Sequence, residues 1–180
     1  MKNNLKKIVF ILFFSYFFYN STLAEDFNFE VTEIEVLNNG NLYKGINGGV
    51  VTTNDGLKIV SDTFRYDKIS NRLEAYENVE LIEQNKNIII LTKKIIYLKN
   101  QEKIFTIGKT ETNINNNYKI FGEDFTLFRK TMLLSSDYEA TVEDIQLNNF
   151  YRLEEFEYSI NEKVLKGKDV IVTTKYKTDK

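Results

Sequence analysis

Four aromatic residues recur at nearly fixed distances along the chain. They are Tyr66 in Phe64-Arg65-Tyr66-Asp67, Tyr97 in Ile95-Ile96-Tyr97-Leu98, Phe128 in Thr126-Leu127-Phe128-Arg129 and Tyr158 in Phe156-Glu157-Tyr158-Ser159, with spacings of 31, 31 and 30 residues. Seven residues beyond each stand Leu73, Ile104, Ser135 and Leu165, and nine beyond stand Ala75, Thr106, Asp137 and Gly167. Each unit therefore reads as strand, short turn, strand and a longer return. A fixed period of this size signals stacked supersecondary units, each too small to bury its apolar face alone. The third unit matches worst, because Thr126, Ser135 and Asp137 break its apolar phase.

Within the units, apolar and polar residues alternate with period two, as in Val31, Ile34 and Val36, then Leu73 with Ala75 and Val79 with Leu81. Helical periodicity is hard to find after residue 25, so strands dominate. Asn38-Asn39-Gly40, Asn54-Asp55-Gly56 and Asn115-Asn116-Asn117 tolerate left-handed backbone and read as tight turns. Phe64, Tyr66, Leu73 and Ala75 share parity across the turn at residues 67–71 and should face one side of the sheet. Successive units would align such residues into one apolar stripe. Periodicity does not distinguish a closed core from an open trough.

The first segment is set aside from the fold. Lys2, Lys6 and Lys7 precede an apolar run from Ile8 to Tyr19, and Thr22-Leu23-Ala24 follows before Glu25-Asp26. That is the layout of a secretory signal peptide over residues 1–24, with cleavage expected after Ala24 and one domain over 25–180. An uncleaved membrane anchor is the competing reading, but a run of about twelve apolar residues is short of the roughly 20 that span a bilayer. Losing those three lysines from 24 basic residues leaves 21 against 26 acidic ones, a formal charge of −5. No basic field then remains to attract nucleic acid.

The chain has no Cys and no His. It lacks the commonest general base, the commonest metal ligand and the most reactive nucleophile, which argues against an enzyme, a metal site or a cofactor. Asp62, Asp67, Glu74 and Glu77 alternate with apolar residues, as expected of a solvated sheet face rather than a carboxylate pair or calcium loop. Lys93-Lys94 and Arg129-Lys130 read as charges that keep strand edges from aggregating, or else as contacts for lipid phosphates.

Ser61-Asp62, Phe64, Tyr66-Asp67, Asn71, Leu73, Ala75 and Asn78-Val79-Glu80-Leu81 resemble the recurring signature of the OstA-like domain. This periplasmic β-jellyroll family is shared by the lipopolysaccharide transport proteins LptA and LptD. Glu77 stands where the family usually has Gly, and later units keep chiefly the aromatic. The resemblance covers residues from about 45 to 172. It implies an all-β, antiparallel, open-ended jellyroll that conducts acyl chains of lipopolysaccharide in an apolar groove and is not an enzyme. Phe64, Tyr66, Leu73, Ile95, Tyr97, Ile104 and Phe128 are the expected groove lining. Neighbouring Lpt jellyrolls are the implied partners, docked by pairing of edge strands.

Residues 153–161 and the following Leu165-Lys166-Gly167-Lys168 resemble the amino-terminal domain of LptD proteins. That likeness implies a longer protein with a carboxy-terminal outer-membrane barrel, a lipoprotein partner and a periplasmic location at the outer membrane. The lack of Cys departs from the many LptD proteins that use disulfides. The alternatives are a stand-alone LptA-like bridge protein, and an exported β-solenoid that binds a protein partner and no lipid.

Overall fold

A computed structural model describes residues 27–174. The expected signal peptide, 1–24, lies outside the described residues. Fifteen strands succeed one another there, joined by short turns, three of which are single 3-10 turns. They are β1 (Asn28–Leu37), β2 (Leu42–Thr52), β3 (Leu57–Ser61), β4 (Thr63–Asp67), β5 (Arg72–Glu83), β6 (Ile88–Leu98), β7 (Lys103–Ile114) and β8 (Tyr118–Glu123). There follow β9 (Thr126–Phe128), β10 (Leu133–Ser136), β11 (Ala140–Asp144), β12 (Asn149–Leu153), β13 (Glu155–Ser159), β14 (Val164–Lys168) and β15 (Ile171–Thr174).

All fifteen belong to one antiparallel sheet, folded back on itself into two layers. One layer runs β1-β2-β3-β5-β6-β7-β8-β11-β12-β15. The other uses the opposite halves of the long strands, with β4 between β2 and β5, β9 beside β7, then β10, β13 and β14. The long strands bend where they pass from layer to layer. The sequence of β6 shows why: two apolar runs flank Thr92-Lys93-Lys94, and the register slips between Thr92 and Lys94. At the slip three residue steps of β7, and likewise three of β5, stand against two of β6, and along β6 burial shifts from Ile88 and Ile90 to the opposite parity at Ile95 and Tyr97. Comparable slips fall between Val31 and Glu33 in β1 and between Tyr76 and Val79 in β5.

Left-handed residues mark the same bend in successive strands: Gly48, Glu77, Asn78, Gly108 and Asp124 have φ of 84°, 58°, 49°, 79° and 51°. A side chain held at φ 58°, as at Glu77, bears strain that glycine would not.

Opposite the bend, the turns stack into two rows. In one, Lys68, Lys99, Arg129 and Ile160 each donate their backbone N–H to the turn before, at Asn41, Asn71, Glu102 and Met132. In the other row Gln84, Asn115 and Ile145 donate to Gly56, Asn87 and Asn117. The period is 31, 30, 31 in the first row and 31, 30 in the second. Each of these turns thus bonds one amide to its neighbour, as suits a stacked fold. The expected turns at 38–40, 54–56 and 115–117 all form.

Candidate functional site: the trough between the layers

Each layer turns one continuous row of side chains inward. Across the second layer the paired residues run Tyr43, Tyr66, Leu73, Tyr97, Ile104, Leu127, Leu134, Tyr158 and Leu165. Across the first they run Phe29, Val51, Ile59, Leu81, Ile90, Thr112, Ile120, Val142, Tyr151 and Val172. Period-two alternation in every strand places them on one face. The product is two apolar stripes facing each other along the length of the sheet. Thr112 interrupts one of them, its hydroxyl buried without a hydrogen-bond partner.

Of the seven positions expected as groove lining, Phe64, Tyr66, Leu73, Ile95, Tyr97 and Ile104 place buried side chains between the layers. Phe128 does not. It pairs with Lys103 on the outer face, where the lysine ammonium lies 4.8 Å from the ring centroid, and Leu127 takes the inward place opposite Ile104. The second unit, from Tyr97 to the next inward residue Leu127, is one residue shorter than the first, so the third unit's inward positions are Leu127, Leu134 and Ser136 rather than 128, 135 and 137. The broken apolar phase of that unit is this one-residue offset.

The interior differs along its length. At the β1 end, Phe27 lies 5.0 Å from the Tyr66 ring and 5.6 Å from the Tyr97 ring, both edge-on, and Phe29 lies 5.7 Å from Tyr66. These rings fill the gap between the layers. At the β15 end the gap is unfilled: a cavity of about 350 Å³ opens among Tyr118, Val142, Leu153, Tyr158, Leu165 and Val172, drawn from both layers. Gly167 also lines it, and a Cβ there would stand 2.0 Å from Leu153 Cδ2. Burial pushes the Tyr158 phenol up to about 12, with Tyr118 and Asp144 adding to the shift. The Tyr158 phenol therefore stays neutral across any physiological pH, while Asp144 and Lys163 add two ionisable side chains to a lining that is otherwise apolar and aromatic.

An ionic cluster bridges the two rows of turns. Arg129, 7% exposed, stands in the second layer's row and reaches across to Glu83 at the end of β5 and to Asp55 in the first layer's turn. Its guanidinium donates from Nε and Nη2 to the two Glu83 oxygens in the forked geometry that favours arginine. Nη1 donates to Asp55 Oδ2 at 3.1 Å, to Glu102 Oε2 at 2.6 Å and to the Tyr97 hydroxyl at 2.6 Å. Tyr97 in turn donates to Glu102 Oε2 at 2.7 Å, and Lys99 pairs with both Glu102 and Asp55.

Burial penalises the charge on each member, and the partners outweigh it. The Asp55 carboxyl is held well below the usual range by its hydrogen bonds from Arg129 and Thr53, and Glu102 below it by Lys99 and Tyr97. Arg129 is raised by Glu83 and Asp55. Burial and the Glu102 hydrogen bond raise Tyr97, which stays a neutral phenol. On the outer face, Glu74 is also buried rather than solvated, ringed by Arg65, Arg72 and Lys94.

No family model matches the chain, and no curated protein matches it. Among solved structures it is similar to the crystal structure of LptH, the LptA homologous periplasmic component of the conserved lipopolysaccharide transport device from Pseudomonas aeruginosa. The likeness has a TM-score of 0.47 and 9% sequence identity, and covers 83% of this chain and 95% of that one.

Proposed function

We propose that this chain is an exported periplasmic module that carries acyl chains of lipopolysaccharide through the space between its two sheet layers. The observation that carries the reading is the pair of facing apolar stripes ending in an unfilled cavity at the β15 end, lined mainly by apolar and aromatic side chains. Acyl chains need a continuous apolar lining that excludes water, and the two facing stripes supply one along the trough's axis. The Ser61 to Leu81 resemblance to the OstA-like signature supports the same reading. So do the two edges: β1 leaves Ile34 and Val36 exposed and β15 leaves Ile171 and Val172 exposed, as suits strands that pair with a neighbouring jellyroll.

Within that reading, the likeness of residues 153–168 favours the amino-terminal domain of an LptD protein, working with an outer-membrane barrel and its lipoprotein. A stand-alone LptA-like bridge is the alternative. Whether the native polypeptide carries a barrel domain after this module, read from its mass in outer-membrane fractions, separates the two.

The filled interior at the β1 end favours a second reading, an exported scaffold that binds a protein partner and no lipid. A photocrosslinking amino acid at Leu165, facing the cavity, and at its outward neighbour Lys166 tests both readings with purified lipopolysaccharide. Labelling at Leu165 and not at Lys166 is the expected outcome. Labelling at neither position in a folded protein rejects lipid transport and leaves the scaffold.

A further inference from the structure

The two layers are joined differently at their two sides. On the bend side the backbone itself passes from one to the other in β2, β5, β6 and β7. On the turn side each row of amides bonds within its own layer, and side chains make the crossing. The strongest of these crossings is the Arg129 cluster, seconded by Lys99 with Asp55 and by Lys86 with Asn161 at 2.8 Å. A sheet folded along one side and closed by side chains along the other has a hinge and a clasp.

The clasp sits beside the ring-filled β1 end, and Leu127, Leu134 and Ile120, all buried, lie between it and the cavity. Tyr97 belongs both to the ring cluster that fills the β1 end and, through its hydroxyl, to the ionic cluster. An acyl chain entering from the cavity meets filled space from Leu134 and Ile120 through to Tyr97, so it advances only if the layers part. The residue that resists parting is not repeated indefinitely. Two positions after the inward residue of each unit stand Lys68, Lys99, Arg129 and then Ile160, so the basic column ends one unit before the cavity. A clasp of charged side chains can also open, since water and ions solvate the freed groups, whereas backbone ladders cannot part without loss of the sheet.

We infer that Arg129, Glu83 and Asp55 form a gate that holds the β1 end of the trough closed and opens to admit an acyl chain. The inference rests on the transport reading above for the identity of what passes. It does not rest on that reading for the opening itself.

The chain has no Cys, so spin labels can be placed at Gln84→Cys and Lys130→Cys, exposed positions on the two rows of turns. Pulsed electron-spin distances on the full chain then report the mouth. The parent should give one short distance, Arg129→Gln a second and longer population with its far-UV circular dichroism unchanged, and the parent with added lipopolysaccharide the same longer population. A folded Arg129→Gln protein with the parent distance overturns the gate. Opening in Arg129→Gln with no response to lipopolysaccharide, and no labelling from Leu165, upholds the gate and rejects the transport reading. Should Arg129→Gln fail to fold, Asp55→Asn removes only the partly exposed partner, and an unchanged distance in that variant overturns the gate equally.

Discussion

The two ends of the trough are built from the same repeat and hold different things. At the β1 end the inward positions are Phe27, Phe29, Tyr43, Tyr66 and Tyr97, and their rings meet across the gap. At the β15 end they are Tyr118, Leu153, Tyr158 and Leu165, and Tyr118 meets Tyr158 at 5.7 Å beside an open cavity. Aromatic content alone does not explain the contrast. Phe27 does, by reaching across from one layer to two rings on the other, and so does the clasp, which draws the layers together at that end and is absent from the last unit. A repeat can thus fix the shape of a trough while single residues decide which part of it is solid.

The largest expected effect breaks the clasp. Arg129→Ala leaves Glu83 buried and unpaired and should cost about 3–5 kcal/mol in urea unfolding, whereas replacing Arg129 and Glu83 together with Leu should recover most of that loss. Equal losses in both proteins would show that the unpaired Glu83 carboxylate is not the source of the cost. Leu127→Ala should cost about 2–5 kcal/mol, and Phe128→Ala under about 1.5, because only the first faces the interior. The reverse order would restore the register in which Phe128 faces inward.

Ile95→Ala at the filled end should likewise cost about 2–5 kcal/mol, against about 1 for Leu165→Ala at the partly open end. Equal costs would mean that the two ends pack alike. The smallest effect is acid sensitivity. Asp55 and Glu102 have folded values below their unfolded ones, so the unfolded chain binds more protons near pH 4 and the stabilisation, complete above that pH, fades as pH falls through the folded values. The melting temperature should therefore drop between about pH 5 and 3, and less steeply in Asp55→Asn.

Much of the fold is legible in the sequence because it is local. Alternation gives the strands, Asn and Gly clusters give the turns, and parity within a hairpin places Phe64, Tyr66, Leu73, Ile95, Tyr97 and Ile104 on the inner face. What escapes is whatever depends on a shift or a distance. Phe128 is misplaced by counting a constant period through a unit one residue short. Arg129 reads as a strand-end charge because its partners Glu83 and Asp55 lie 46 and 74 residues away, beyond any local pattern. One sequence signal does foretell it: Lys68, Lys99 and Arg129 share the position two after the inward residue, once the third unit is counted from Leu127. Glu74 is misread as solvated for the same reason, its cations coming from Arg65 and Lys94 on neighbouring strands.

The ladders of turn amides carry an evolutionary consequence. Because each unit hands its hydrogen bonds to the next in the same way, a tandem duplication of one unit would insert without orphaning a backbone group. Each unit contributes two strands to each layer, so one duplication would lengthen the trough by roughly 10 Å. Reach can therefore be selected in steps by copy number, while any change in the seal requires point substitutions such as the one that separates Arg129 from Ile160.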